Sequence, residues 1–349
     1  MSINAISSQS LYGAGFSSVQ LGQKNLVDLQ TEVSTGRLAN VGESLGANID
    51  QAFNARAQLI ELDGFQQSTN LVSGRLQATQ TALGSMATDV NTMISNLQTA
   101  SNNSTAQTTA VTVGSGLLSS FQDYLNTSYD GVYIFGGINS SQPPVGTQLT
   151  SPASTGLVAV QTAFQSYFGF STSDPKVANI TSQQLTTFLN GPFQSVFSGA
   201  SWSNFSSASS ANLQDRISAG QVVTSSANAN DPSFQSLAKG YLMVSALGGT
   251  GLSQGAFQTL ASAASSALSA GGSGITQIQA NLGAVQQQCT AAQQVNTTAS
   301  NLLQAQVNKL EGTDPYQIVT QLNSLTNQLE ASYSTTNRIQ KLSILNYLT

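Results

Sequence analysis

The chain contains no histidine, one cysteine (Cys289) and only 7% charged residues. Without histidine, the commonest general base near neutral pH and the commonest metal ligand are both missing. One cysteine builds neither a disulfide framework nor a multi-cysteine zinc or iron-sulfur site. The zinc-protease pattern His-Glu-x-x-His is impossible here. The chain therefore reads as a non-enzyme, with no catalytic, cofactor-binding or metal-ligating residues and no cofactor.

Positive charge is scarce too. Ten Lys plus Arg against fifteen Asp plus Glu give a net charge of -5, which leaves no excess to match phosphate backbones or anionic lipid. Neither nucleic acid nor membrane is expected as a partner. No window approaches the roughly 20 apolar residues of a membrane span. Met1 to Gln30 lacks the basic start and apolar core of a cleaved secretory signal. Such a chain suits the cytosol or export by a non-cleaving route. Its polarity comes from Ser, Thr, Asn and Gln, so copies packed side by side repel one another little.

Proline is absent before Pro143, and six of the seven prolines lie between Pro143 and Pro232. Both ends are thus free to form long helices. From Val72, the residues Leu76, Thr79, Leu83, Met86, Val90, Met93 and Leu97 recur in steps of three and four, the spacing of a seam facing a partner helix. Leu117, Phe121 and Tyr124 continue it beyond a polar run, Ser101 to Thr109, that reads as a turn or weak helix. Leu282, Val285, Cys289, Ala292, Asn296, Ala299, Leu303, Gln306 and Leu310 form a second seam, about 40 Å long at ~1.5 Å per residue. The two seams suggest a helical pair, with Val90 and Met93 against Val285 and Cys289. Gly312 can end the second helix, and Asp314-Pro315-Tyr316-Gln317 reads as the start of the next. Asp231-Pro232 reads as another start, running toward Gly248.

Residues 138–227 differ in texture, holding most of the prolines, the single Trp202 and a group of aromatics from Phe164 to Phe205. This reads as an inserted domain, β-rich or mixed. Its rings could form its own core or stack on sugars. Other features read plainly. Cys289 falls on a seam as a small buried hydrophobe. Gly248-Gly249-Thr250-Gly251 lacks the ending of a phosphate loop. Asp28, Glu32, Glu61 and Asp63 sit on polar helical stretches as solvated carboxylates, with Lys24 and Asp28 spaced for a surface ion pair.

The outermost segments are apolar yet terminal. Ile3, Ile6, Leu11, Phe16 and Val19 at one end, and Ile339, Leu342, Leu345 and Leu348 at the other, are the candidate assembly interface. Such residues lower their free energy by docking on neighbouring subunits, at about 25 cal/mol per Å² of apolar area removed from water.

Tyr133-Ile134-Phe135-Gly136-Gly137, followed by Gln142-Pro143-Pro144-Val145, resembles the segment of flagellar hook-associated protein 3 that closes its amino-terminal helices. Leu329 to Tyr333 and Ile339 to Leu348 resemble the carboxyl terminus shared by that protein and bacterial flagellin. Ser34-Thr35-Gly36-Arg37 matches the family's early turn, whereas Asn40-Val41-Gly42-Glu43-Ser44 departs from what commonly follows. The resemblance implies a structural subunit of the bacterial flagellum, most specifically at the hook-filament junction. The alternatives are a filament flagellin or a surface-exposed adhesive, glycan-binding relative. It implies export through the flagellar type III apparatus with a chaperone, an extracellular location, self-association in a tube, and contacts with junction protein and flagellin.

The expected fold is mostly α: an elongated, coiled-coil-like bundle of N- and C-terminal helices with an inserted β-containing domain. Residues 1–42 with 312–349 are expected to be terminal assembly helices, 43–137 with 228–311 a helical rod domain, and 138–227 an inserted outer domain.

Overall fold

The computed structural model describes residues 8–249 and 251–341. Helices dominate them: α1 (Ser8–Thr35), α2 (Val41–Leu45), α3 (Ile49–Ser101), α4 (Ser104–Leu125), α5 (Thr155–Phe168), α6 (Ser182–Phe188), α7 (Gln194–Val196), α8 (Pro232–Leu242), α9 (Gln254–Glu311) and α10 (Pro315–Lys341). Strands β1 (Ser128–Tyr129) and β2 (Val132–Tyr133) form one antiparallel hairpin, and β3 (Gln214–Ser218) and β4 (Gln221–Thr224) another. The protein is mostly α, as its sequence implies. It divides into two compact units, Met1–Gly64 with Asn296–Thr349 and Phe65–Val295.

In the first unit α1 and α10 lie side by side. Val19, Ile318 and Leu329 are buried there, and a Cβ on Gly22 would sit 2.7 Å from Leu329 Cδ2. The terminal helices are therefore partners of one another, a pairing that no local sequence pattern announces. Asp314 caps α10 as read, accepting from the Tyr316 amide at 2.9 Å ahead of Pro315.

The second unit is built on α3 and α9, which run antiparallel. Gln293 Nε2 donates to Asn70 Oδ1 at 2.9 Å, Gln80 Nε2 to the Gln279 carbonyl at 2.8 Å, and Gln258 Nε2 to the Ser101 carbonyl at 2.9 Å. Every member of the seam from Val72 to Leu97 is buried, Thr79 included. Thr79 returns its hydroxyl to the Arg75 carbonyl at 2.8 Å, so the polar member costs no unpaired group. The register differs from the expected one. Val90 faces Gly272, whose Cβ position lies 3.2 Å from Val90 Cγ1, while Cys289 bonds Ser73. Small residues on α9 admit large ones from α3 at this offset.

The polar run after α3 is a turn at residues 102–103 followed by α4, capped by Asn103 accepting from the Thr105 amide. Asp231 caps α8 likewise. Between them, the β content of residues 138–227 is the single hairpin β3–β4, and the rest is short helix and turn. Its core is a ladder of rings: Phe164, Phe188, Phe193, Phe197, Phe205 and Trp202, with successive centroids 5.0–5.8 Å apart. Spacings of four and five along Phe188, Phe193 and Phe197 put them on one helical face because a π turn, Leu189–Phe193, absorbs Pro192.

Candidate assembly surface and the neck of the insert

Among the candidate assembly residues, Ile3, Ile6, Leu342, Leu345 and Leu348 lie outside the described residues. Leu11 and Ile339 fall on α1 and α10, but their side chains are not described. Phe16 is 53% exposed, and Val19 is buried within the first unit. The helices of this unit expose further large apolar side chains: Leu21, Val27 and Val33 on α1, Phe53 and Ile60 on α3, Leu302 on α9, and Tyr316, Val319 and Tyr333 on α10. The sequence reading missed these, since their spacing does not set them apart from core positions.

Two loops close the first unit. Gly36, at φ +66°, ends α1 in the left-handed region that favours glycine. Its carbonyl accepts from the Thr313 amide at 3.1 Å, and Leu38 N donates to the Glu311 carbonyl at 2.8 Å, so Arg37 pairs antiparallel with Gly312. Glu311, 1% exposed, accepts from Arg56 through both oxygens, with Nε–Oε1 at 2.7 Å. The hydrogen bond to Glu311 raises the Arg56 guanidinium above its ordinary range against the opposing effect of burial. Asp28 accepts from Asn40 Nδ2 at 3.0 Å, and Glu32 from the Ala39 amide at 3.1 Å. Both carboxylates thus fasten the segment after α1, a role their spacing on a polar helix did not suggest.

The glycine motif forms the neck where the chain passes from α4 toward the insert. Ile134 and Phe135 are fully buried, and Phe135 meets Phe234 edge-on at 5.3 Å. Tyr133 is half-buried on β2. The backbone is stitched to the returning chain: Ala229 N donates to the Phe135 carbonyl at 2.8 Å, Ser209 N to the Gly136 carbonyl at 3.0 Å, and Ile138 N to the Ala211 carbonyl at 2.9 Å. Gly137 has φ +60°, and a Cβ there would lie 2.4 Å from the Ser209 carbonyl. No other residue fits. Pro144 continues the stitch, its carbonyl accepting from Ser207 N at 2.8 Å. The motif is thus a backbone clasp, and its chemistry is structural.

A second anchor holds the β3–β4 hairpin. Arg75, nearly buried on α3, pairs with Asp215 and donates to Ser225 Oγ at 2.8 Å, while its Nε has no partner. Ser68 Oγ donates to the Arg216 carbonyl at 3.0 Å. Burial, and then the charge of Asp215, raises the Cys289 thiol. Cys289 is a buried seam residue. Trp202 is also core, 4% exposed, with Nε1 donating to Asn230 Oδ1 at 2.9 Å.

Paired terminal helices in one unit, and antiparallel helices carrying a clasped, mixed insert in the other, define a mostly helical protein. No helix among the described residues is long and apolar enough to cross a membrane. The chain belongs to the bacterial flagellin family: residues 6–140 match the flagellin N-terminal helical region, and residues 266–348 the C-terminal helical region. It is accordingly a flagellar structural subunit of a family that forms the extracellular flagellum. No curated protein matches the chain. Its fold is similar to that of a solved protein from Vibrio parahaemolyticus described as a candidate flagellar hook-associated protein, at 9% identity and a TM-score of 0.51, covering 76% of this chain and 97% of that one.

Proposed function

We propose that this protein polymerises through its terminal helices and sits at the junction between hook and filament. The exposed apolar side chains on the helices of the first unit carry the reading of assembly. Phe53 at 64%, Ile60 at 75% and Tyr316 at 87% exposure are large apolar side chains facing water, and in this reading neighbouring subunits cover them. In a tube each contact repeats, so burying even one such side chain at each interface gives about 1.5–3 kcal/mol per contact. The junction is favoured over the filament by the Tyr133–Gly137 clasp, whose sequence resembles that of hook-associated protein 3, and by a fold shared with the Vibrio protein. Its partners in this reading are copies of itself, the adjoining junction protein and flagellin, with a chaperone during type III export.

Immunogold labelling of intact flagella separates the possibilities: a ring at the hook end supports the junction, and label along the filament assigns the chain to flagellin. Deleting residues 342–349 tests the assembly role. Loss of flagella from cells carrying only that version, with an unchanged circular dichroism spectrum of the subunit, is expected. Normal flagella would refute it.

A further inference from the structure

On the insert, the end of α5, the 3-10 turn Pro175–Asn179 and the first turn of α6 enclose a groove of about 430 Å3. Beneath it Phe164 and Phe188 are core, 1% and 0% exposed. The same ring cluster continues outward through Tyr167, Phe168 and Phe170. Tyr167 meets Phe188 at 5.6 Å, and Phe168 meets Phe170 at 5.9 Å. Of these three rings Tyr167 is exposed, at 39%, and Phe168 and Phe170 are half-buried, each keeping part of its surface open. A core needs no rings left open at its edge.

The same groove is lined by three polar side chains with unused capacity. The Lys176 ammonium and the Asn179 amide make no bond to other described residues. Gln184 spends its oxygen on Thr181, at 3.0 Å to N and 3.1 Å to Oγ1, which leaves its NH2 free. Their positions are fixed from below. Asp174 Oδ1 caps the 3-10 turn by accepting from the Lys176 amide at 2.8 Å, and the Thr181–Gln184 capping box starts α6. No carboxylate lines the groove.

We propose that this groove binds a saccharide and prefers an acidic sugar. A pyranose ring has an apolar C–H face, which packs on aromatic rings, and an edge of hydroxyls, which pair with amides. A sugar carboxylate would meet the Lys176 ammonium, and no carboxylate in the groove lining competes for it. An apolar ligand would leave the amides and the ammonium unsatisfied, and a bare anion would make no use of the rings.

The test is saturation-transfer NMR on the full chain with N-acetylneuraminic acid, glucuronic acid and galactose. Saturable transfer to sugar ring protons is expected, stronger for the two acids. Tyr167→Ala should weaken it about tenfold, the scale of one lost ring contact. Lys176→Gln should bring the acids down to the level of galactose with an unchanged melting temperature, since Lys176 is exposed. Absence of saturable transfer to the folded wild-type chain overturns the proposal, as does transfer that neither variant alters. Self-association abolished by Tyr167→Ala, without a sugar signal, would assign the groove to a second copy and also overturn it.

Discussion

Arg56 on α3 and Glu311 at the end of α9 are 255 residues apart and form a two-pronged ion pair, with Nε–Oε1 at 2.7 Å. Glu311 also lends its backbone carbonyl to Leu38, so one residue anchors three segments of the first unit. Removing the guanidinium by Arg56→Ala leaves a carboxylate 1% exposed without its partner. Half of the Arg56 side chain faces water, so the cost is expected at about 1–2 kcal/mol, below that of a fully buried pair. Arg56→Lys should recover only part, because an ammonium cannot reproduce the fork. Urea denaturation measures both, and equal stability of all three proteins would show the pair to be inert.

Val90 is 3% exposed and packs against Gly272. Val90→Asp buries an unpaired charge and is expected to cost about 3 kcal/mol or more. A melting temperature equal to wild type would contradict the α3–α9 packing. Gly271→Ala carries a sharper expectation. Alanine is the better helix former by about 1 kcal/mol, yet its Cβ would fall 2.5 Å from Leu237 Cδ2 and 2.9 Å from the Ser233 carbonyl. The clash includes backbone, so net destabilisation is expected by thermal melting.

Arg75→Ala should release the β3–β4 hairpin. It removes the guanidinium from Asp215 and Ser225 and leaves Asp215 only the Ser225 hydroxyl as donor in a nearly buried site, at a cost of about 2–4 kcal/mol. Cys289, held as a poorly reactive thiol by burial and by the charge of Asp215, then becomes a reporter. Maleimide labelling under native conditions is expected to be slow in the wild type and faster in the variant. Equal rates would mean that the hairpin does not depend on this clamp.

Alkaline pH should loosen the second unit. Burial raises the Tyr241 phenol above its ordinary 10.0, and the charge of Asp89 adds to the effect. Tyr124 is raised by the same two causes. The folded protein keeps these protons where the unfolded chain releases them. Their contribution is therefore fully present below about pH 10 and declines as pH rises toward the folded values. Denaturation followed between about pH 9 and 12 should show a falling free energy in wild type and a shallower fall in Tyr241→Phe. Identical slopes would remove Tyr241 from the account.

Phe16 and Val19 sit one turn apart on α1 yet should respond differently to charge. Val19→Asp enters the buried side of the α1–α10 unit and should lower the melting temperature of the isolated subunit. Phe16→Asp, on the exposed side, should leave melting unchanged and block assembly seen by electron microscopy. Normal assembly of Phe16→Asp would exclude that face from the subunit contact.

Local chemistry alone determined much of this protein. The three-and-four spacing from Val72 to Leu97 named a buried face, because burial on a helix repeats with its turn. Asp231-Pro232 and Asp314-Pro315 marked helix starts, because capping uses only neighbouring amides. The missing histidine and near-missing cysteine bounded the chemistry, and the Tyr133–Gly137 motif marked the family. Tertiary structure decided what depends on distant partners. The seam pattern survives a slide of one helix along another, so it could not place Val90 beside Gly272 or Cys289 beside Ser73; fit between large and small residues did. Asp28 looked like the partner of Lys24, one turn away, but took Asn40 from the following loop. The ring sequence from Phe164 to Phe205 could not separate core from groove. Trp202 went inside and Tyr167 stayed out because the turns between them, and not their apolar character, determine which rings are covered.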